Sequence, residues 1–370
     1  MKTTTERFLA LDIFRGLTVC FMIIVNTSGD GATTFAPLQH AFWDGFTPTD
    51  LVFPSFLFAV GNAFSFVSIK WQNMPQGQVL FKILKRTCII FLLGYLMYWF
   101  PFFKFDQFQN IIPFPISETR IFGVLQRIAL CYGIAALMIY YLKPKMNFVL
   151  SIGFLLIYWL ILYLYGPYDM HHNPVTDIDL RLIGPDHLYH GEGFAFDPEG
   201  LLSTLPSIVN VLAGFFVGNY IQKKGKKYDG LAKILIYGFL IIAIAFMWNY
   251  VFPINKKMWT SSYTLLTIGL DMSILAVIMY YTDFLRFKKG AYFFQVFGKN
   301  PLTIYLLSEI LAICLWMIPV GDKSLYRWLF ENLFLPFGGY FGAFLFAIAY
   351  MLVCWSVGYI MDKKRIYIRI

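Results

Sequence analysis

The stretch 40-HAFWDGFTPTDLVFPSFLFAVGNAFSF-66 decides how this chain is read. After Asp50 no ionisable residue follows until Lys70. That is the length of a membrane-crossing helix, about 20 apolar residues, since lipid offers backbone amides no partner and a helix satisfies them internally. Ahead of this run stand His40, Asp44 and Asp50, at the lip of a membrane, where ionisable groups are costly and need a compensating reason.

Working outward, the same apolar character fills the chain. Of 370 residues, 58% are hydrophobic and 20% aromatic, with a mean hydropathy of +0.62, a load that excludes an ordinary soluble domain. About ten runs reach spanning length, near 9–28, 51–70, 83–101, 121–142, 147–166, 201–221, 231–251, 262–282, 299–318 and 339–361. The eighth is polar at its start and carries Asp271. The expected fold is an all-α polytopic membrane protein, a single domain over 1–370, with one long extramembrane stretch at about 167–200. That stretch holds four of the five histidines, His171, His172, His187 and His190.

No cleavable leader is expected, because 1-MKTTTER-7 leads directly into the first run. Basic clusters at Lys82/Lys85/Arg86, Lys143/Lys145, Lys223/Lys224/Lys226/Lys227, Arg286/Lys288/Lys289 and Lys363/Lys364/Arg365 fall on one side. Under the positive-inside rule both termini are then cytoplasmic and the 167–200 loop extracytoplasmic, in the cell inner membrane. Lys256 and Lys257 are the exception, on the opposite face. The net charge of +9 is spread over these separate loops, which argues against a nucleic-acid partner. Cys20, Cys88, Cys131, Cys314 and Cys354 lie inside the runs, without disulfide or metal spacing, and read as packing residues. No metal is expected.

Polar residues in or beside the runs are the candidates for function. Asp12 and Arg15 are three apart on one helical face, an interfacial pair or a cationic anchor for a phosphate. Asn26 closes the first run. Asp50 begins a helix, with Thr47 and Thr49 as competing caps; it is either a cap or the carboxylate that orients His40 as general base or nucleophile. Gln126 and Arg127 sit in the fourth run, where an Arg is too expensive to face lipid. Asp197 and Glu199 precede the sixth. Lys299 and Asn300-Pro301 open the ninth, which carries Glu309.

Together the motifs resemble the transmembrane acyltransferase family of heparan-alpha-glucosaminide N-acetyltransferase and its bacterial homologues. The resemblance rests on LDIFRG and MIIVN in the first run, HAFWDGFTPTDLVFPSFLF at the second, GVLQRIAL at the fourth, HLY and DPEGLLSTLPSI around the sixth, GKNPLTIY at the ninth and the tail DKKRIYIRI. It does not extend to the luminal domain and span that precede this core in the animal enzyme. It implies a catalytic pair, His40 and Asp50. It further implies acetyl-CoA as cosubstrate, assigned here to Arg15, Asn26, Arg127, Lys299 and Asn300, and an amino-sugar acceptor, assigned to Asp44, Glu199 and Glu309. A homodimer follows from the resemblance alone. The competing reading is an amino-sugar transporter, since a polar path through a helix bundle also serves a permease.

Overall fold

The computed structural model describes residues 9–107 and 110–368. The opening segment 1–7 and the last two residues of the basic tail lie outside the described residues. The α-helices are α1 (Leu9–Asn26), α2 (Val52–Trp71), α3 (Gln76–Trp99), α4 (Val124–Tyr141), α5 (Pro144–Tyr165), α6 (Pro174–Ile183), α7 (Thr204–Lys224), α8 (Tyr228–Asn249), α9 (Ser261–Met279), α10 (Ala291–Lys299), α11 (Pro301–Met317), α12 (Leu325–Leu329) and α13 (Gly339–Lys363). Strands among the described residues are confined to two small antiparallel ribbons, β1 (Phe103–Phe105) with β2 (Ile111–Pro113) and β3 (Pro319–Val320) with β4 (Lys323–Ser324).

Among the described residues eight helices are long and apolar enough to cross a membrane, or nine if the bent pair α10–α11 is one span. The protein is a multi-pass helical membrane protein. Helix α3, the expected third span, has 24 residues, about 36 Å at 1.5 Å per residue. Every window of spanning length within it contains Lys82, Lys85 and Arg86, so the residues that mark its basic end also dilute its apolar character. The expected ninth span, 299–318, is α11 with 17 residues, and it is preceded by α10, from which it is bent by 83°. Pro301 is the reason, since its ring disfavours helical backbone in the residue before it, and Asn300 leaves the helix at φ −132°, ψ 53°. The 167–200 stretch contains a helix of its own, α6, started by Asn173 accepting the Thr176 N–H at 2.9 Å and by Pro174 in the first position.

Only 22% of the most apolar stretch of α5 and 28% of that of α8 are buried inside the protein, so most of their apolar surface lies on its outside. Cys20, Cys131 and Cys354 are buried as expected, whereas Cys88 is exposed on α3.

The chain divides into two compact units, one of residues 9–42, 46–56 and 274–368, the other of Trp43–Gly45 and Leu57–Ser273. Inside the first, α1 and α10 touch backbone to backbone: a Cβ on Gly16 would stand 1.8 Å from the Phe294 carbonyl oxygen, and one on Gly298 2.5 Å from that of Asp12. Inside the second, α2 and α7 interlock at Gly61 and Gly214, where a Cβ would meet the Val211 and Phe58 carbonyl oxygens at 1.9 and 2.0 Å. In lipid, where apolar side chains gain little by leaving their surroundings, such close approach supplies the van der Waals contact that joins helices.

Candidate active site

In the first unit Thr47 caps a short 3-10 turn, Pro48–Leu51, that leads into α2. Asp50 folds back from that turn: Oδ2 accepts the Thr47 N–H (2.9 Å) and the Ala41 N–H (3.2 Å), and shares the single Thr47 hydroxyl hydrogen (3.1 Å) with the Gln39 carbonyl (2.7 Å). Its Oδ1 faces His40 Nδ1 at 2.7 Å. The Asp50 side chain is fully buried, while that of His40 is 43% exposed. The two readings of Asp50 therefore merge, one carboxylate completing a capping box and fixing an imidazole. A carboxylate can only accept, so Nδ1 carries the hydrogen and the lone pair lies on Nε2. That tautomer can take up a proton or an acyl group.

Three further placements belong to the same unit. Asn26, at the end of α1, donates from Nδ2 to Glu309 Oε1 on α11 at 3.3 Å. Arg15 pairs with Asp12 at 3.1 Å and donates from Nε to the Gly298 carbonyl at 2.8 Å. It thus stands beside Lys299, whose ammonium meets Asp362 at 2.7 Å. The Asn300 amide is taken up by the chain after α13, donating to the Ile366 carbonyl and accepting the Ile368 N–H, each at 3.0 Å.

In the second unit Arg120 organises a buried ionic cluster. It meets Asp197 through Nε (2.9 Å) and Nη2 (2.7 Å), reaches Glu199 at 2.7 Å, and lies over the rings of Tyr98 and Tyr189. Burial opposes its charge, but Tyr98, Asp197 and Glu199 outweigh burial and keep it protonated. Burial likewise opposes ionisation of Glu199, yet Arg120, with Lys256 and Arg127, holds its carboxyl below the usual range. Arg127, fully buried, donates from Nη2 to the Gly200 carbonyl at 2.9 Å, contacts Ser203 Oγ and lies over Trp259. Asp179 holds the other end of the same peptide group, accepting the Leu201 N–H at 3.0 Å. Burial pushes its carboxyl up to about 7. Gly200 is required there, because a Cβ would stand 1.7 Å from Asp179 Oδ2. Asp44 accepts from Asn255 Nδ2 at 3.1 Å.

Arg120 and Asp179 escaped the sequence reading. Arg120 looks like an ordinary interfacial residue at the edge of a span; the available signal was the two acids at 197 and 199, which need a cation once buried. Lys257, the basic residue on the unexpected face, is explained by an ion pair with Glu192 at 2.7 Å. The loop histidines make weaker contacts than His40. His187 and His190 place Nδ1 against backbone carbonyls at 2.8 and 3.0 Å. His172 lies 3.5 Å from Asp169 with its side chain 83% exposed.

A polytopic membrane protein whose α2 entry holds a half-exposed histidine against a buried carboxylate has the parts of a proton- or acyl-transfer centre. The family model described as heparan-alpha-glucosaminide N-acetyltransferase, catalytic, matches residues 7–247, and the chain belongs to that family. The heparan-alpha-glucosaminide N-acetyltransferases of Homo sapiens and Mus musculus are each 27% identical to it over 368 residues, covering 84% of this chain and 54% of theirs. The chain thus spans about half the length of the curated relatives it matches.

Proposed function

We propose that the protein is a membrane acetyltransferase that moves an acetyl group from cytoplasmic acetyl-CoA to an amine of an extracytoplasmic, glucosamine-like amino sugar, with His40 as the group on which transfer depends. The observation that carries this is the 2.7 Å contact between His40 Nδ1 and a fully buried Asp50, with the imidazole still 43% exposed. Family membership supports the reaction class, and the basic loop clusters support the orientation. In direct transfer the amine forms the new C–N bond as the C–S bond breaks; through a carrier, Nε2 displaces the thiolate first and the amine then displaces Nε2. In both, the CoA thiolate leaves and is protonated as the amine loses its proton. His40 serves either as the base that takes the amine proton or as a transient acyl carrier, and Asp50 orients the ring in both routes.

The remaining assignments follow the same reading. Arg15 and Lys299, side by side with Asp12 and Asp362 as their counterions, are cations whose carboxylates a nucleotide phosphate would replace. The hydrogen bond between Asn26 and Glu309 couples a donor-side to an acceptor-side residue, as a point of transfer requires. Asn300 supports the Lys299 end, and Asp44 and Glu199 serve the acceptor side. In the second unit the buried carboxamides of Asn62, Gln126 and Asn147, and Arg127 Nε and Nη1, find no partner among the described residues. Such groups suit an amide-bearing ligand, because a buried unpaired polar atom costs about 1–3 kcal/mol. The protein is further proposed to be a homodimer of 42.9 kDa chains in the inner membrane.

The test uses purified protein in nanodiscs with labelled acetyl-CoA and glucosamine. N-acetylglucosamine and free CoA thiol should appear in equal amounts. Glucosamine uptake into proteoliposomes without acetylation would replace this reading with the transporter.

A further inference from the structure

The first unit ties the chain between α11 and α13 to the loop that ends at His40. Tyr326, on α12, is almost completely buried, with its ring stacked on Trp316 at 4.8 Å and edge-on to Phe346. Its hydroxyl donates to the Ser28 carbonyl at 2.8 Å. Burial raises the pKa of this phenol, so it keeps its hydrogen and stays a donor. One residue on, Arg327 reaches Asp30 at 3.3 Å and is held by Glu331 at 2.6 Å. Phe330 closes the seat against Gly29, where a Cβ would stand 2.2 Å from its ring.

From Asp30 an unbroken series of hydrogen bonds leads to the histidine. Thr34 Oγ1 donates to the Asp30 carbonyl (2.8 Å), Gln39 Nε2 to the Thr34 carbonyl (2.8 Å), and Thr47 Oγ1 to the Gln39 carbonyl (2.7 Å). The Thr47 N–H then donates to Asp50 at 2.9 Å, and Asp50 holds His40. We infer that Tyr326 and Arg327 are positioning residues for the His40 loop, acting through Ser28 and Asp30, so that α12 is the seat on which the catalytic pair is aligned. The inference rests on the reading of His40 given above. A reacting group displaced by about 1 Å can lose up to about 100-fold in rate. Tyr326, the buried anchor, carries the larger share, and Arg327, half exposed and screened by solvent, the smaller.

The experiment measures acetyl transfer from acetyl-CoA to glucosamine by the full chain in nanodiscs. Tyr326→Phe should lower kcat by about 10-fold and leave the KM for acetyl-CoA within about 2-fold. Arg327→Gln, which keeps the buried core intact, should lower kcat by about 2- to 3-fold, with Arg327→Lys recovering most of it. Each loss should largely vanish in an Asp50→Asn background, because groups acting through one another are not additive. Losses that repeat in full in that background would show a merely structural role and overturn the inference, as would unchanged kcat in both variants. If His40→Ala kept full activity, the reading of the site would fall first, a result distinct from either of these.

Discussion

Two loops of this protein each fasten a chain turn ahead of a membrane helix with buried acid, and they reach opposite electrostatic ends. Before α2, Asp50 is satisfied by neutral N–H and O–H donors and by one group that can change its protonation, a half-exposed imidazole. Before α7, buried Asp197 and Glu199 are locked by a part-buried guanidinium that stays charged. Arginine cannot exchange a proton at any accessible pH, whereas histidine does so near neutrality. The first arrangement therefore suits chemistry, and the second holds the entry to α7 in place.

The contrast can be broken most forcefully at Arg120. Arg120→Ala leaves two buried acids without their cation and should destabilise the protein by about 3–5 kcal/mol, read as a fall in thermal midpoint in detergent. A loss below about 1 kcal/mol would make the second cluster as dispensable as a surface pair. Next in size is Asp50→Asn, which keeps the side chain's shape but removes its charge. A drop in kcat of about 10-fold, with acetyl-CoA binding by calorimetry unchanged, is the expected result. Unchanged kcat would reduce Asp50 to a cap.

Asp179 sharpens the comparison through pH. Its folded carboxyl is pushed up to about 7 by burial, from an ordinary value of 3.8. As pH rises between those values the unfolded chain ionises first, so the contribution of this group is fully present at the acid end and is lost as pH climbs through the folded value. Relative to wild type, Asp179→Asn should gain stability across that window, by at most about 1.4 kcal/mol per pH unit, and the gap should level off above it. Urea or thermal melts at several pH values check this; a gap independent of pH would place a charged Asp179 in the native state. The smallest effect is expected at His172, where Ala substitution should change stability by less than about 0.5 kcal/mol and leave transfer intact.

What the sequence made legible was whatever a local pattern encodes. Apolar runs located the helices, and the ten residues from His40 to Asp50 kept the histidine and its acid within one loop. Pro301 announced the start of α11, the expected 299–318 span, yet the short α10 before it, packed on α1 through Gly16 and Gly298 and bent by 83° from α11, is a tertiary fact the pattern did not record. Arg120 finds its acids 77 and 79 residues away, and Asn26 finds Glu309 at a separation of 283. No periodicity records such partners; only burial of the charge, which demands compensation, hints that they exist. Helix α6 could have been read from Asn173-Pro174, a cap followed by a first-position proline.

The central claim is that acetyl transfer passes through His40, and the most direct measurement compares His40→Ala with His187→Ala in acetyl transfer from acetyl-CoA to glucosamine at saturating donor. His187 is the matched control, its Nδ1 engaged by the Thr119 carbonyl where His40 has a buried carboxylate. The expected outcome is a loss of at least about 100-fold for His40→Ala with donor binding retained, against a kcat within about 2-fold of wild type for His187→Ala. Wild-type turnover in His40→Ala, together with an inactive His187→Ala, would contradict the account and move the chemistry to the 167–200 loop.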